Sequence, residues 1–127
     1  MDDDEGIRDC LRIFFEDADY DIEEAQDGAG ALRFLESTAH PWVLLLDRSM
    51  PRMDGIEFIR TLIKRPDLRQ RTNVVIMTAR GDPLDEETER LVRPHIFAYV
   101  NKPFHLDALL DTVERASAHL ANSMLTE

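Results

Sequence analysis

Cysteine is almost missing from this 127-residue chain. Cys10 stands alone, which excludes an internal disulfide and the repeated thiol spacing of a structural zinc site. On a helical face with Leu11 and Phe14 it reads as a small core residue. No apolar run approaches the length of about 20 residues that a membrane-spanning helix needs, and no signal peptide precedes Asp2. The expectation is a reduced, cytoplasmic, soluble protein. Positive charge is also scarce: 15 basic against 26 acidic side chains leave a net charge of −11. Such a surface repels nucleic acid and anionic lipid, and suits a cation or a basic protein patch. Internal repeats and low-complexity linkers are lacking too, so residues 1–127 read as a single domain with no output domain visible. The four histidines (His40, His95, His105 and His119) are scattered without ligand spacing.

What is present alternates. Ile7, Cys10, Leu11, Phe14 and Phe15 recur at helical spacing, with Asp3 or Asp4 placed as N-cap. "YDIEEAQDG" reads as a short strand ending in an Asp-Gly turn, and "ALRFLEST" as a helix stopped by His40-Pro41. "WVLLLD" is an apolar run closed by an acid, the pattern of a strand buried on both faces. "MDGIEFIRTLIKRPD" predicts a helix with Ile56, Ile59, Leu62 and Ile63 inward and Pro66 ending it. "NVVIMTA" and "IFAYVNKPF" are further strands, separated by a polar loop and an acidic helix, and "LDALLDTVERASAHL" is a last amphipathic helix. Strands alternating with helices imply an α/β fold, a doubly wound parallel sheet covered on both sides. Ligands of such sheets bind outside the carboxyl ends of the strands.

Three residues stand at those ends: Asp47 after "LLL", Thr78 after "VVIM" and Lys102 after "AYVN". Singly, each has an ordinary structural role, as helix cap, strand residue or solvated cation. Together they suggest phosphoryl transfer to a carboxylate. Asp47 is the nucleophile, Lys102 pairs with a phosphoryl oxygen and Thr78 donates a hydrogen bond to another. An anionic nucleophile repels an anionic donor, so a hard cation such as Mg²⁺ is needed, held by carboxylate oxygens. The opening "MDDDEGIR" supplies them: carboxylates gathered beside Asp47 repel one another unless a divalent ion lies between.

The chain resembles the receiver domain of two-component response regulators, over essentially all its length. "LLLDRSMPRMDGIEFI" is similar to the phosphorylation-site segment, "VVIMTA" to the strand bearing a hydroxyl, "AYVNKPF" to the strand ending in Lys-Pro, and "DDDEGIR" to the acidic pair leading into the first helix. The resemblance implies a flavodoxin-like sheet of order 2-1-3-4-5. It implies that Asp47 accepts a phosphoryl group from a histidine kinase or phosphotransfer protein. It also implies that Asp2, Asp3, Asp47 and the Ser49 carbonyl hold Mg²⁺, and that Thr78 and Lys102 read the phosphate. Tyr99 falls at the aromatic switch position, and the Lys102–Pro103 bond resembles one that is cis in the family. The chain would catalyse its own phosphorylation and dephosphorylation without turning over an outside substrate, and would act on an unknown output protein.

Two departures stand out. "RPHIF" replaces the small residues expected before the last strand, and only Met1 precedes Asp2 where the family has a central apolar strand. Such a strand contributes several buried side chains, each worth about 1.5–3 kcal/mol, against a total stability of about 5–15 kcal/mol. Three outcomes are open: a start further upstream; the second strand sliding against the third, with Asp2 and Asp3 on a loose lead-in and weaker Mg²⁺ binding; or a homodimer or larger assembly formed by strand exchange. The alternative function is a degenerate receiver, a protein-interaction module that is not phosphorylated. A small hydrolase with Asp47 as nucleophile is disfavoured, because Ser49 stands where that chemistry uses a second acid. Arg80, two residues past Thr78, is a candidate for tuning water access, and the acids at 85–89 read as a solvated helix face or a surface for a basic partner patch.

Overall fold

Three apolar runs become parallel strands: β1 (Trp42–Asp47), β2 (Thr72–Ala79) and β3 (Ala98–Lys102). The computed structural model describes residues 2, 4–47, 55–79 and 86–125, and among these the sheet has the order β1-β2-β3. The register pairs Asp47 with Met77, Thr78 with Asn101, and Ala79 with Lys102. All three carboxyl ends therefore meet at one edge. Asp47, Thr78 and Lys102 occupy successive rungs there, about 3.3 Å apart along the strands.

Helices cover both faces, because the strand residues alternate. Leu44, Leu46, Val74 and Ile76 face a core with α2 (Gly28–Ser37), α3 (Gly55–Ile63), the short α4 (Pro66–Arg69) and α5 (Glu86–Val92), where Phe58, Ile59 and Leu35 are fully buried. Val43, Leu45, Met77 and Val100 face α1 (Glu5–Asp17) and α6 (Leu106–Leu125), through Leu11, Phe15, Leu109 and Val113. This is the expected doubly wound α/β arrangement. The Asn73 side-chain amide donates to the Ala116 carbonyl at 3.0 Å and pins α6 to β2. Arg71 Nη2 donates to the Leu35 carbonyl at 2.9 Å, satisfying an orphan acceptor near the end of α2.

Asp4 is the N-cap of α1, its carboxylate accepting from the Ile7 N–H at 3.2 Å. Replacing it by Ala is expected to cost about 1 kcal/mol in urea unfolding; an unchanged midpoint would mean the cap contributes nothing.

Several local expectations change. Residues 20–26 form no strand: among the described residues the Tyr20 N–H turns back to the Phe15 carbonyl at 3.0 Å, and the Asp2 N–H donates to the Ala25 carbonyl at 3.3 Å. A strand needs a ladder partner, and none lies alongside among the described residues. Asp27 and Gly28 make no turn; Asp27 caps α2, its carboxylate accepting from the Gly30 N–H at 2.8 Å. Pro66 does not simply end α3. It starts α4, where its missing N–H costs no hydrogen bond. Cys10 is exposed rather than part of the core. The buried stripe of α1 runs through Leu11 and Phe15, and Cys10 sits about 100° round the helix from Leu11. β1 is not sealed on both faces either: Val43 and Leu45 are only partly buried, and they line a cavity of about 560 Å³ between β1 and residues 20–25.

Candidate phosphoryl-acceptor site

The carboxyl edge of the sheet brings together two acids from opposite ends of the sequence stretch that precedes α3. Lys102 Nζ lies 3.2 Å from Asp2 Oδ2 and 3.4 Å from Asp47 Oδ2. Both acids are buried, Asp2 to 1% exposure and Asp47 to 8%. Lys102 ends β3, and Asp47 ends β1 two rungs earlier in the shared register, so the lysine stem reaches back along the edge.

Asp2 is not on a loose lead-in. Its other carboxylate oxygen accepts from the Asp4 N–H at 2.9 Å, and its carbonyl accepts from Arg8 Nη1 at 2.7 Å. With the Ala25 bond and the lysine, contacts from α1, β3 and residue 25 hold it without a strand. Arg8 is the residue that sequence reasoning missed. Its only signal is helical spacing, one turn after the cap Asp4; its ion pair with Glu24 at 3.7 Å joins segments too far apart to read from pattern.

Thr78 is half-buried one rung beyond Asp47, and Tyr99 on β3 is 40% exposed. The Lys102–Pro103 bond is cis. Asp3, Ser49 and Arg80 lie outside the described residues. Of residues 85–89, Glu86 and Glu87 are exposed as expected, whereas Thr88 is buried and receives a 3.2 Å hydrogen bond from Arg60 Nη2.

Two buried carboxylates sharing one ammonium leave a local charge of −1 and an all-oxygen donor set. That is hard-cation chemistry and fits Mg²⁺. No three His, Cys, Asp or Glu side chains gather as a metal site among the described residues.

Burial works against the Lys102 ammonium, but the hydrogen bond and charge of Asp2, and then those of Asp47, outweigh it and raise its pKa. Burial, reinforced by the charge of Glu114, raises the Tyr20 hydroxyl as well. In both groups the folded state holds its proton more tightly than the unfolded chain. Their contribution is therefore complete at neutral pH and is lost as pH climbs above about 10. Urea unfolding at rising alkaline pH is expected to show falling stability, with a shallower fall in Tyr20→Phe. A parent curve flat through that range would contradict the assignment.

The family model described as "Response regulator receiver domain" matches residues 1–114. The regulatory protein AtoC of Escherichia coli K12 is 35% identical over 116 residues, 91% of this chain and 24% of that protein. The response regulator MprA of Mycobacterium ulcerans is 37% identical over 112 residues, 87% of this chain and 45% of that protein. The chain thus spans less than half the length of these curated relatives. A CheY-like response regulator receiver domain protein from Methanospirillum hungatei JF-1 superposes with a TM-score of 0.76 at 26% identity, covering 97% of this chain and 92% of that one.

Proposed function

This chain belongs to the response regulator receiver domain family, and on that premise we propose that it is a phosphoryl-accepting switch whose acceptor is Asp47. The observation that carries the proposal is the convergence of the buried Asp2 and Asp47 carboxylates on Lys102 Nζ, at 3.2 and 3.4 Å. A carboxylate oxygen of Asp47 attacks phosphorus. The bond from phosphorus to its donor breaks, and the electron pair leaves with the donor nitrogen, which takes up a proton when the donor is a phosphohistidine.

Lys102 is already hydrogen-bonded at the acceptor and holds a developing phosphoryl oxygen without being recruited from solvent. Thr78, on the adjacent rung, supplies a hydroxyl donor. Asp2, Asp3, Asp47 and the Ser49 carbonyl would hold Mg²⁺, which when bound neutralises charge between the anionic acceptor and an anionic donor. Tyr99, exposed on the edge strand β3, belongs to the surface that an output protein reads.

The donor is a histidine kinase or phosphotransfer protein, and the chain turns over no outside substrate. The site we assign to it is the cytoplasm; no helix among the described residues is long and apolar enough to cross a membrane. The test is intact mass after incubation with acetyl phosphate and Mg²⁺. One labile phosphoryl adduct, absent with chelator, is expected. A folded protein that gains none is better read as an interaction module that works without phosphorylation.

A further inference from the structure

We propose that Arg8 is a positioning residue for the acceptor site. With Glu24 it clasps the main chain of Asp2, aims one Asp2 carboxylate oxygen at Asp47's lysine, and so sets how tightly the site holds a divalent cation. Arg8 and Arg12 stand one helical turn apart on α1. Both reach Glu24: Arg8 Nε lies 3.7 Å from Oε1, and Arg12 Nη1 lies 2.9 Å from Oε2. The Arg8 side chain keeps only 14% of its surface exposed. Its Nη1 donates to the Asp2 carbonyl at 2.7 Å, the short length of a charge-assisted hydrogen bond.

These contacts close a ring. The Asp2 N–H donates to the Ala25 carbonyl at 3.3 Å, the Asp2 carbonyl accepts from Arg8, and Arg8 pairs with Glu24, the residue before Ala25. Both polar groups of the Asp2 main chain are therefore fixed. The side chain is fixed in turn by the Asp4 N–H, which donates to Oδ1 at 2.9 Å. Oδ2 is then the oxygen that faces Lys102 Nζ, 3.2 Å away, and Asp47 Oδ2 approaches the same ammonium to 3.4 Å. Partners behind a ligating group fix its orientation, and losing one typically lowers metal affinity by about 10–100-fold. Arg8 stands in that relation to Asp2.

Charge and position predict opposite signs. If Arg8 acted only through its charge, removing it would strengthen divalent binding, because a nearby cation repels the ion. Removing the clasp weakens binding, because Oδ2 is no longer held toward Asp47. The inference rests on the acceptor reading in one respect, that Asp2 helps to hold the cation, so one readout uses neither cation nor phosphoryl group. Arg8→Met and Arg12→Gln each remove one positive charge, and only the first breaks the ring.

Amide hydrogen exchange by NMR in cation-free protein reads the clasp directly. Exchange at Asp2 and Asp4 is expected to rise about 10-fold in Arg8→Met, with Phe15 on the same helix unchanged and Arg12→Gln close to the parent. Calorimetric titration with Mg²⁺ is expected to show affinity lower by about 10-fold or more in Arg8→Met, and no lower in Arg12→Gln. Arg8→Lys keeps the charge and one donor but not the fork that spans to Glu24. It falls between the two, and serves where Arg8→Met does not fold. Unchanged exchange at Asp2 and Asp4 would overturn the proposal. So would an Mg²⁺ affinity that is equal or higher in folded Arg8→Met. A parent that binds no Mg²⁺, with Asp2 protected there and not in Arg8→Met, would contradict the acceptor reading and leave the clasp standing.

Discussion

Asp47→Asn is expected to lower phosphoryl incorporation from acetyl phosphate by at least about 100-fold, while the protein stays folded. The amide keeps the shape of the carboxylate and removes the nucleophilic oxygen pair. Other surface acids do not substitute for it, because Asp47 is distinguished by its surroundings: it is 8% exposed and 3.4 Å from an ammonium. The fold tolerates the change because Asp2 still pairs with Lys102 at 3.2 Å and one of two crowded negative charges is gone. Intact mass and circular dichroism on the same sample check both halves. Undiminished incorporation in a folded Asp47→Asn protein would place the acceptor elsewhere.

Lys102→Met carries the second large effect. Removing one member of a buried ion pair typically costs about 3–5 kcal/mol. Lys102 keeps 22% of its side chain exposed, so the cost here is discounted for solvent to about 2–3 kcal/mol at neutral pH. The loss arises because the buried Asp2 and Asp47 carboxylates no longer share a cation. Two consequences separate this cause from simple loss of packing. Adding Asp2→Asn to Lys102→Met should recover part of the stability, since one of the two charges is removed. Millimolar Mg²⁺ should raise the midpoint of Lys102→Met more than that of the parent, because the carboxylates that would hold the ion no longer share an ammonium. Equal Mg²⁺ shifts in both proteins would show that the carboxylates are not held by Lys102 in the way proposed. Phosphoryl incorporation should fall in Lys102→Met as well, since the preorganised cation at the acceptor is gone.

The site's strand-borne residues were legible in the sequence because each closes an apolar run. "WVLLLD", "NVVIMT" and "AYVNK" each change character at the residue that proves to lie on the carboxyl edge, and parallel pairing then aligns those edges. The anchoring of Asp2 was not legible. It depends on a backbone carbonyl at Ala25, a guanidinium at Arg8 and an ammonium 100 positions away, none of which periodicity can connect. Residues 20–26 show the same limit from the other side. The alternation "YDIEEA" is strand-like, yet a strand exists only with a neighbour to bond, and the neighbouring space is a cavity. Cys10 was placed on the right helix and the wrong side of it, because the local pattern of α1 fits a stripe centred one residue away. The apolar core was read more accurately than its largest member suggests. Ile59 and Leu62 are buried as expected, while Phe58, fully buried beside them, lay outside the anticipated stripe.

The central claim is that Asp47 accepts the phosphoryl group. An acyl phosphate is reduced by borohydride to an alcohol, whereas a free carboxylate is not, so reduction followed by peptide sequencing by mass spectrometry locates the acceptor. After treatment with acetyl phosphate and Mg²⁺, conversion to homoserine is predicted at Asp47, with none in the chelator control. Conversion at another acid, or none in a protein shown to be folded, would contradict it.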